Sequence, residues 1–183
     1  MKNFIGLLAI SFLLFSIQSH ACTIIAVGKK ASKDGSNIIS HSDAGPDSRI
    51  FVMPAMTFEA GAKAAVYWGI QNATLPLDND GEVLGYIPQV RQTYKYFHSA
   101  YSQVNEYQLG IAESTTAQRD ALICTRENGE QIMTIEQAQI FALQRHKTAR
   151  EAVKFIGKLM TKYGFLPSSG PGSETLVIAD KDE

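Results

Sequence analysis

The sequence predicts an α+β layered fold, and three observations carry that prediction. Short β-branched runs separated by polar turns fill the first part of the chain. Over residues 135–163 the apolar spacing changes from the alternation of strands to the three-and-four period of helices. A last β-branched run, TLVIAD, then follows a linker, LPSSGPGS. The composition is that of an ordinary globular domain, 45% hydrophobic and 19% charged over 183 residues, enough chain to bury a core in one domain. A formal net charge of −1 suggests no phosphate-binding surface and no nucleic-acid partner. The Lys and Arg residues of 145–162 recur at helical spacing and read as a solvated helix face.

Residues 1–21 have the pattern of a secretory signal peptide. Lys2 supplies the basic start, Phe4 to Ile17 is almost wholly apolar, and Ser19 and Ala21 are the small residues that a signal peptidase accepts at −3 and −1. Cleavage would fall before Cys22 and release residues 22–183 as a secreted or periplasmic domain. The apolar run is shorter than the roughly 20 residues that span a bilayer, so no stable membrane insertion is expected. A lipid-modified Cys22 is an alternative, although Gln18, Ser19 and His20 fit a lipidation signal poorly.

After Cys22, TIIAVG reads as a strand, KKASKDGS as a turn with Gly35 at its tip, and NIISHS as the returning strand, a hairpin with Cys22 at its open end. SDAGPDSR is a loop. IFVMPAM, broken by Pro54, and AKAAVYWGI at 62–70 are further strand candidates, TLPLDNDGEVLGYIP reads as loop-rich, and LGIAEST at 109–115 as a buried strand. Two helices follow. Thr134 with Gln137 and Thr148 with Glu151 each form a capping-box pattern. In the second helix Val153, Ile156, Leu159, Met160 and Tyr163 fall on one face, and Gly164 is a natural stop.

The chemistry concentrates at Cys22. An N-terminal cysteine carries an α-amino group with a reference pKa of about 7.7–8.0 beside a thiol of about 8.5. The amine can therefore take the thiol proton near neutral pH without a separate histidine. Leader removal would be the activating step. A disulfide between Cys22 and Cys124 is the competing reading for an exported chain with two cysteines. Cys124 stands at the end of a short apolar run, where a buried thiol is equally natural. Such a disulfide, or a lipid, on Cys22 would make the protein a non-catalytic exported binding domain.

Several stretches together resemble one family. They are CTIIAVGKKASKDGS (22–36), SHSDAGPDSR (40–49), GYIPQV followed by TY (85–94), YSQVNEYQLGIAEST (101–115), QRHKTAREAV (144–153), YGF (163–165) and SETLVIAD (173–180). The family is that of the N-terminal-nucleophile peptidases of the dipeptidase A type. The resemblance implies an αββα sandwich that hydrolyses amide bonds, typically of dipeptides, through an acyl-enzyme on Cys22. It implies no cofactor and no metal, and a small peptide as substrate. Relatives with the same core include amide acylases, which leaves an acylase as an alternative. The resemblance also implies that Asp43 and Asn105 hold the amine and the oxyanion. Family members are usually much longer, so the sandwich is expected to be incomplete at its C-terminus, with 22–183 forming its N-terminal portion and leaving strand edges unpaired.

Other residues have two readings each. Asp43 before Ala-Gly-Pro also suits a turn, and Asn105 also suits a cap. Arg49 suits a substrate carboxylate or a surface ion pair. Glu113 in an apolar strand needs a partner, for which Arg49 and the new N-terminus are candidates. His41 stands where many relatives carry Arg; it could sit near Cys22, although a satisfied strand histidine is the commoner outcome. His41, His98 and His146 show no metal-ligand spacing. Intact mass and N-terminal sequencing of the exported protein should return a chain that starts at Cys22 with an unblocked amine. A different start or a lipid-sized mass increment overturns the leader assignment.

Overall fold

The computed structural model describes residues 22–42, 49–70, 82–167 and 172–183. The leader and Asp43 lie outside the described residues. The chain opens with the expected hairpin, β1 (Thr23–Val27) and β2 (Ile38–Ser42), antiparallel from Thr23↔Ser42 to Val27↔Ile38. Its turn has a local cause. Asp34 accepts from the backbone N–H and the hydroxyl of Ser36, and Gly35 takes φ 76°, a left-handed conformation that glycine adopts without a Cβ clash.

Next come β3 (Phe51–Met53), β4 (Lys63–Tyr67), β5 (Val83–Pro88), β6 (Tyr96–His98), β7 (Val104–Asn105) and β8 (Gly110–Thr116). A two-residue β9 (Met133–Thr134) leads directly into helix α1 (Ile135–Arg145), and α2 (Ala149–Tyr163) follows. Short β10 (Phe165–Leu166) pairs in parallel with β9, and β11 (Ser173–Ala179) ends the fold. The α+β class is thus the observed one. The segment read as loop-rich holds a strand: β5 pairs with β4 from Lys63↔Pro88 to Tyr67↔Val83. Its Gly85 and Pro88 mask a strand because both residue types are depleted in strand interiors.

The central layer is a five-stranded antiparallel sheet in the order β11-β8-β7-β6-β3. Adjacent residues of a strand point to opposite faces, and β8 shows what each face meets. Ile111 belongs to the core built with α1 and α2, together with Tyr96, Leu109, Leu143 and Ile156. Gly110, on the opposite face, has Ile39 of β2 so close that an added Cβ would lie 3.1 Å from its Cδ1. The helices therefore cover one face and the β1–β2 hairpin the other. The hairpin covers only the β8–β11 end. At the β3–β6 end the cross-strand pair Val52–Phe97 remains 60% and 45% exposed on that same face.

Both helices start as their sequences predict. Thr134 accepts from Gln137 N–H and Thr148 from Glu151 N–H. The capping pattern at Thr134 is completed differently, because the Gln137 side chain accepts from Tyr67 N–H at 2.9 Å and so ties α1 to β4. All residues of α1 from Ile135 to Leu143 are buried, including Glu136, Gln137 and Gln139. In α2, Ile156 and Leu159 are buried while Val153 is 55% exposed. The inward place on the first turns belongs to Ala149 and Ala152 instead, whose small side chains let α2 approach closely. Asp180, just past β11, accepts from the backbone N–H groups of Ala149, Asp182 and Glu183, fixing the start of α2 to the end of the sheet. Burial alone would raise the Asp180 carboxyl pKa, but those three donors and Lys181 outweigh it and hold the group below the ordinary aspartate range.

Asn105 is 5% exposed and uses its whole amide. Its Nδ2 donates to the carbonyls of Leu143 and His146, each at 2.8 Å, and its Oδ1 accepts from Tyr107 N–H and Leu109 N–H. Asn105→Ala strands these buried groups and should destabilise the fold by about 3 kcal/mol in urea denaturation. A loss under about 1 kcal/mol would show that the clamp is redundant.

His98 is 1% exposed, with Nδ1 3.0 Å from the Ser102 hydroxyl. Burial pushes its pKa down from 6.5 to about 4. The native state thus favours the neutral ring, and the unfolded chain takes the proton first. That contribution is complete above about pH 6.5 and is lost as pH falls toward about 4. The stability difference between the wild type and His98→Gln should shrink over that window, and a pH-independent difference would refute the assignment.

Candidate active site

Cys22 immediately precedes β1 and is half-buried. Strand alternation puts it on the same hairpin face as Ile24, whose register partner is His41. That face is turned toward β8, as Ile39 on Gly110 shows. Side-chain contacts hold the hairpin there. Ile39 packs on Gly110. Asn37 donates from Nδ2 to the Asp180 carbonyl at 3.0 Å and accepts from Lys29 N–H at 3.2 Å, joining the hairpin turn to the end of β11. Glu113 N–H donates to His41 Nδ1 at 3.1 Å.

The last contact has a topological reason. β7 pairs with β8 only at Val104↔Gly110, and the Ile111 N–H reaches the Gln103 carbonyl. Beyond that point the β7 side of β8 has no ladder partner among the described residues. A buried backbone N–H needs an acceptor, and the imidazole of His41 supplies one for Glu113. Beside it lies a cleft of about 370 Å³ between β2 and β7–β8, lined in part by Asn37, Ser40, His41, Gln103 and Gln108.

The sequence-derived candidates separate in this structure. Asn105 does not face the cysteine. It pairs with Tyr96 on the helix side of the sheet, while its neighbour Val104 lines the cleft on the hairpin side. With both N–H groups committed to carbonyls, the oxyanion role expected of it gives way to a structural one. Arg49 is exposed, with its guanidinium 5.4 Å from the centre of the Phe51 ring. Glu113 is fully buried in the middle of β8, directly opposite Leu176. Asp43 follows β2, outside the described residues.

Neither Cys22 nor Cys124 is in a disulfide bond. The Cys124 thiol lies 3.6 Å from the Leu122 carbonyl instead, beside the 3₁₀ turn Asp120–Leu122. The disulfide alternative is therefore not the arrangement found. Among the described residues, no group of His, Cys, Asp or Glu could hold a metal ion, and no helix is long and apolar enough to cross a membrane. The contact of His41 with β8 had no signal in the sequence, because it depends on where β7 stops.

Comparison with known proteins places these features in context. The sequence model of peptidase family C69 matches residues 21–183. A protein of Latilactobacillus sakei named a probable dipeptidase is 26% identical over 162 residues, an alignment covering 84% of this chain and 33% of that protein. The chain thus spans about a third of the length of the curated relative it matches.

Proposed function

The chain belongs to peptidase family C69, and on that premise we propose that it is an exported N-terminal-cysteine hydrolase of dipeptides. The observation that carries this reading is the place of Cys22. The family match runs through it, it stands at the head of β1 on the face turned toward β8, and no disulfide engages its thiol. The layering of helices, five-stranded sheet and hairpin supports an N-terminal-nucleophile sandwich.

In this mechanism the leader is cut before Cys22, which exposes an α-amino group next to the thiol. The amine takes the thiol proton, and the thiolate sulfur attacks the carbonyl carbon of the scissile amide. The ammonium then returns the proton to the departing amine as the C–N bond breaks, leaving a thioester on Cys22. Water, deprotonated by the same amine, attacks the thioester and releases the acid. Asp43 is assigned to hold the ammonium and Arg49 to pair with the substrate carboxylate. The donation of Asn105 Nδ2 to two backbone carbonyls favours another group as the oxyanion donor.

Dipeptide hydrolysis by the exported protein should fall by roughly three orders of magnitude or more in Cys22→Ser, with the melting temperature unchanged. Turnover that survives the substitution would refute the nucleophile assignment. One extra residue before Cys22 should also inactivate, because it moves the amine away from the thiol, and full activity in that variant would place the base elsewhere.

A further inference from the structure

We propose that His41 is a positioning residue for Cys22, an inference that rests on the reading of Cys22 as the nucleophile. Among the described residues the hairpin that carries Cys22 has two strands, and its backbone makes no ladder with the five-stranded sheet. Side chains help to set its place, and toward the Cys22 end one of them is His41. The register pairs His41 with Ile24, two residues after Cys22 on the same face. This makes His41 and Cys22 diagonal cross-strand neighbours, a relation that spans roughly 7–8 Å between Cα atoms.

The contact is directional. His41 Nδ1 lies 3.1 Å from Glu113 N and equally 3.1 Å from Glu113 O. A backbone N–H can only donate, so in its contact with Glu113 N the Nδ1 atom is the acceptor. A bond in that direction fixes the height and tilt of the β2 end over β8. It thereby fixes the strand beside it, from which Cys22 projects. Displacement of a reacting group by about 1 Å can cost roughly 100-fold in rate, so this anchor acts on turnover and not only on folding. The Asn37 bond to the Asp180 carbonyl holds the opposite end of the hairpin and cannot substitute for it.

The two ring nitrogens can be tested separately. In His41→Asn the amide oxygen falls near the position of Nδ1 and keeps the acceptor for Glu113 N–H. In His41→Gln the amide reaches toward the position of Nε2 and loses it. The full-length protein in a Cys124→Ser background is assayed well below each variant's melting temperature. The readouts are kcat and KM for a dipeptide and the rate of Cys22 alkylation by iodoacetamide. His41→Ala and His41→Gln should lose roughly 10- to 100-fold in kcat with little change in KM. Their Cys22 alkylation rates should shift, and His41→Asn should restore most of both. A folded His41→Ala with wild-type kcat overturns the proposal, as does a His41→Asn no better than His41→Gln. If His41→Ala does not fold, the Asn–Gln comparison decides alone. Cys22→Ala is run alongside. Turnover surviving in it refutes the nucleophile reading, whereas its inactivity together with indifferent His41 variants refutes only the positioning role.

Discussion

The attachment of the β1–β2 hairpin to β8 is the constraint on which the candidate site depends. A two-stranded hairpin is marginal by itself, and among the described residues this one has no backbone ladder to the central sheet. It is held by Ile39 on Gly110, by Asn37 on the Asp180 carbonyl, and by His41 on the backbone of Glu113. Each uses a feature of the sheet made elsewhere: a missing Cβ, a strand end and a backbone N–H. The first sets the separation of the layers, since any side chain at position 110 would meet Ile39.

The opposite face of the sheet is organised by buried polar groups more than by shape. Asn105 joins the β7–β8 turn to the last turn of α1, Gln137 joins α1 to β4, and Asp180 joins β11 to α2. Such bonds contribute modestly when made and cost more when one partner is lost. They therefore fix the register between elements while the apolar core around Leu109, Ile111 and Leu143 provides the bulk of the burial. The division of labour explains why Asn105 lies in a strongly patterned segment yet takes no part at the cysteine. One residue earlier or later in β7 the side chain would face the cleft.

Much of the fold was legible in the sequence. The hairpin at 23–42, both helices with their capping threonines, the stop at Gly164 and the last strand all follow from local chemistry: β-branching, turn residues, caps and periodicity. The strands that were missed have physical reasons. β5 is disguised by Gly85 and Pro88. β6 and β7 have three and two residues, too few to show a period, and they exist only because neighbouring strands supply the pairing. Val153 was expected inward from its spacing, but the close approach of α2 favours the smaller Ala149 and Ala152.

The sequence by itself determined the α+β class, the family and the singular position of Cys22, because these reside in composition, local pattern and motif. Which side chains stand with Cys22 was decided only by the tertiary structure. Facing in a strand alternates residue by residue, and the place where β7 ends depends on contacts far apart in the chain. That is why Asn105 belongs to the helix side and His41 to the cysteine side, although both stand in stretches that resemble the same family.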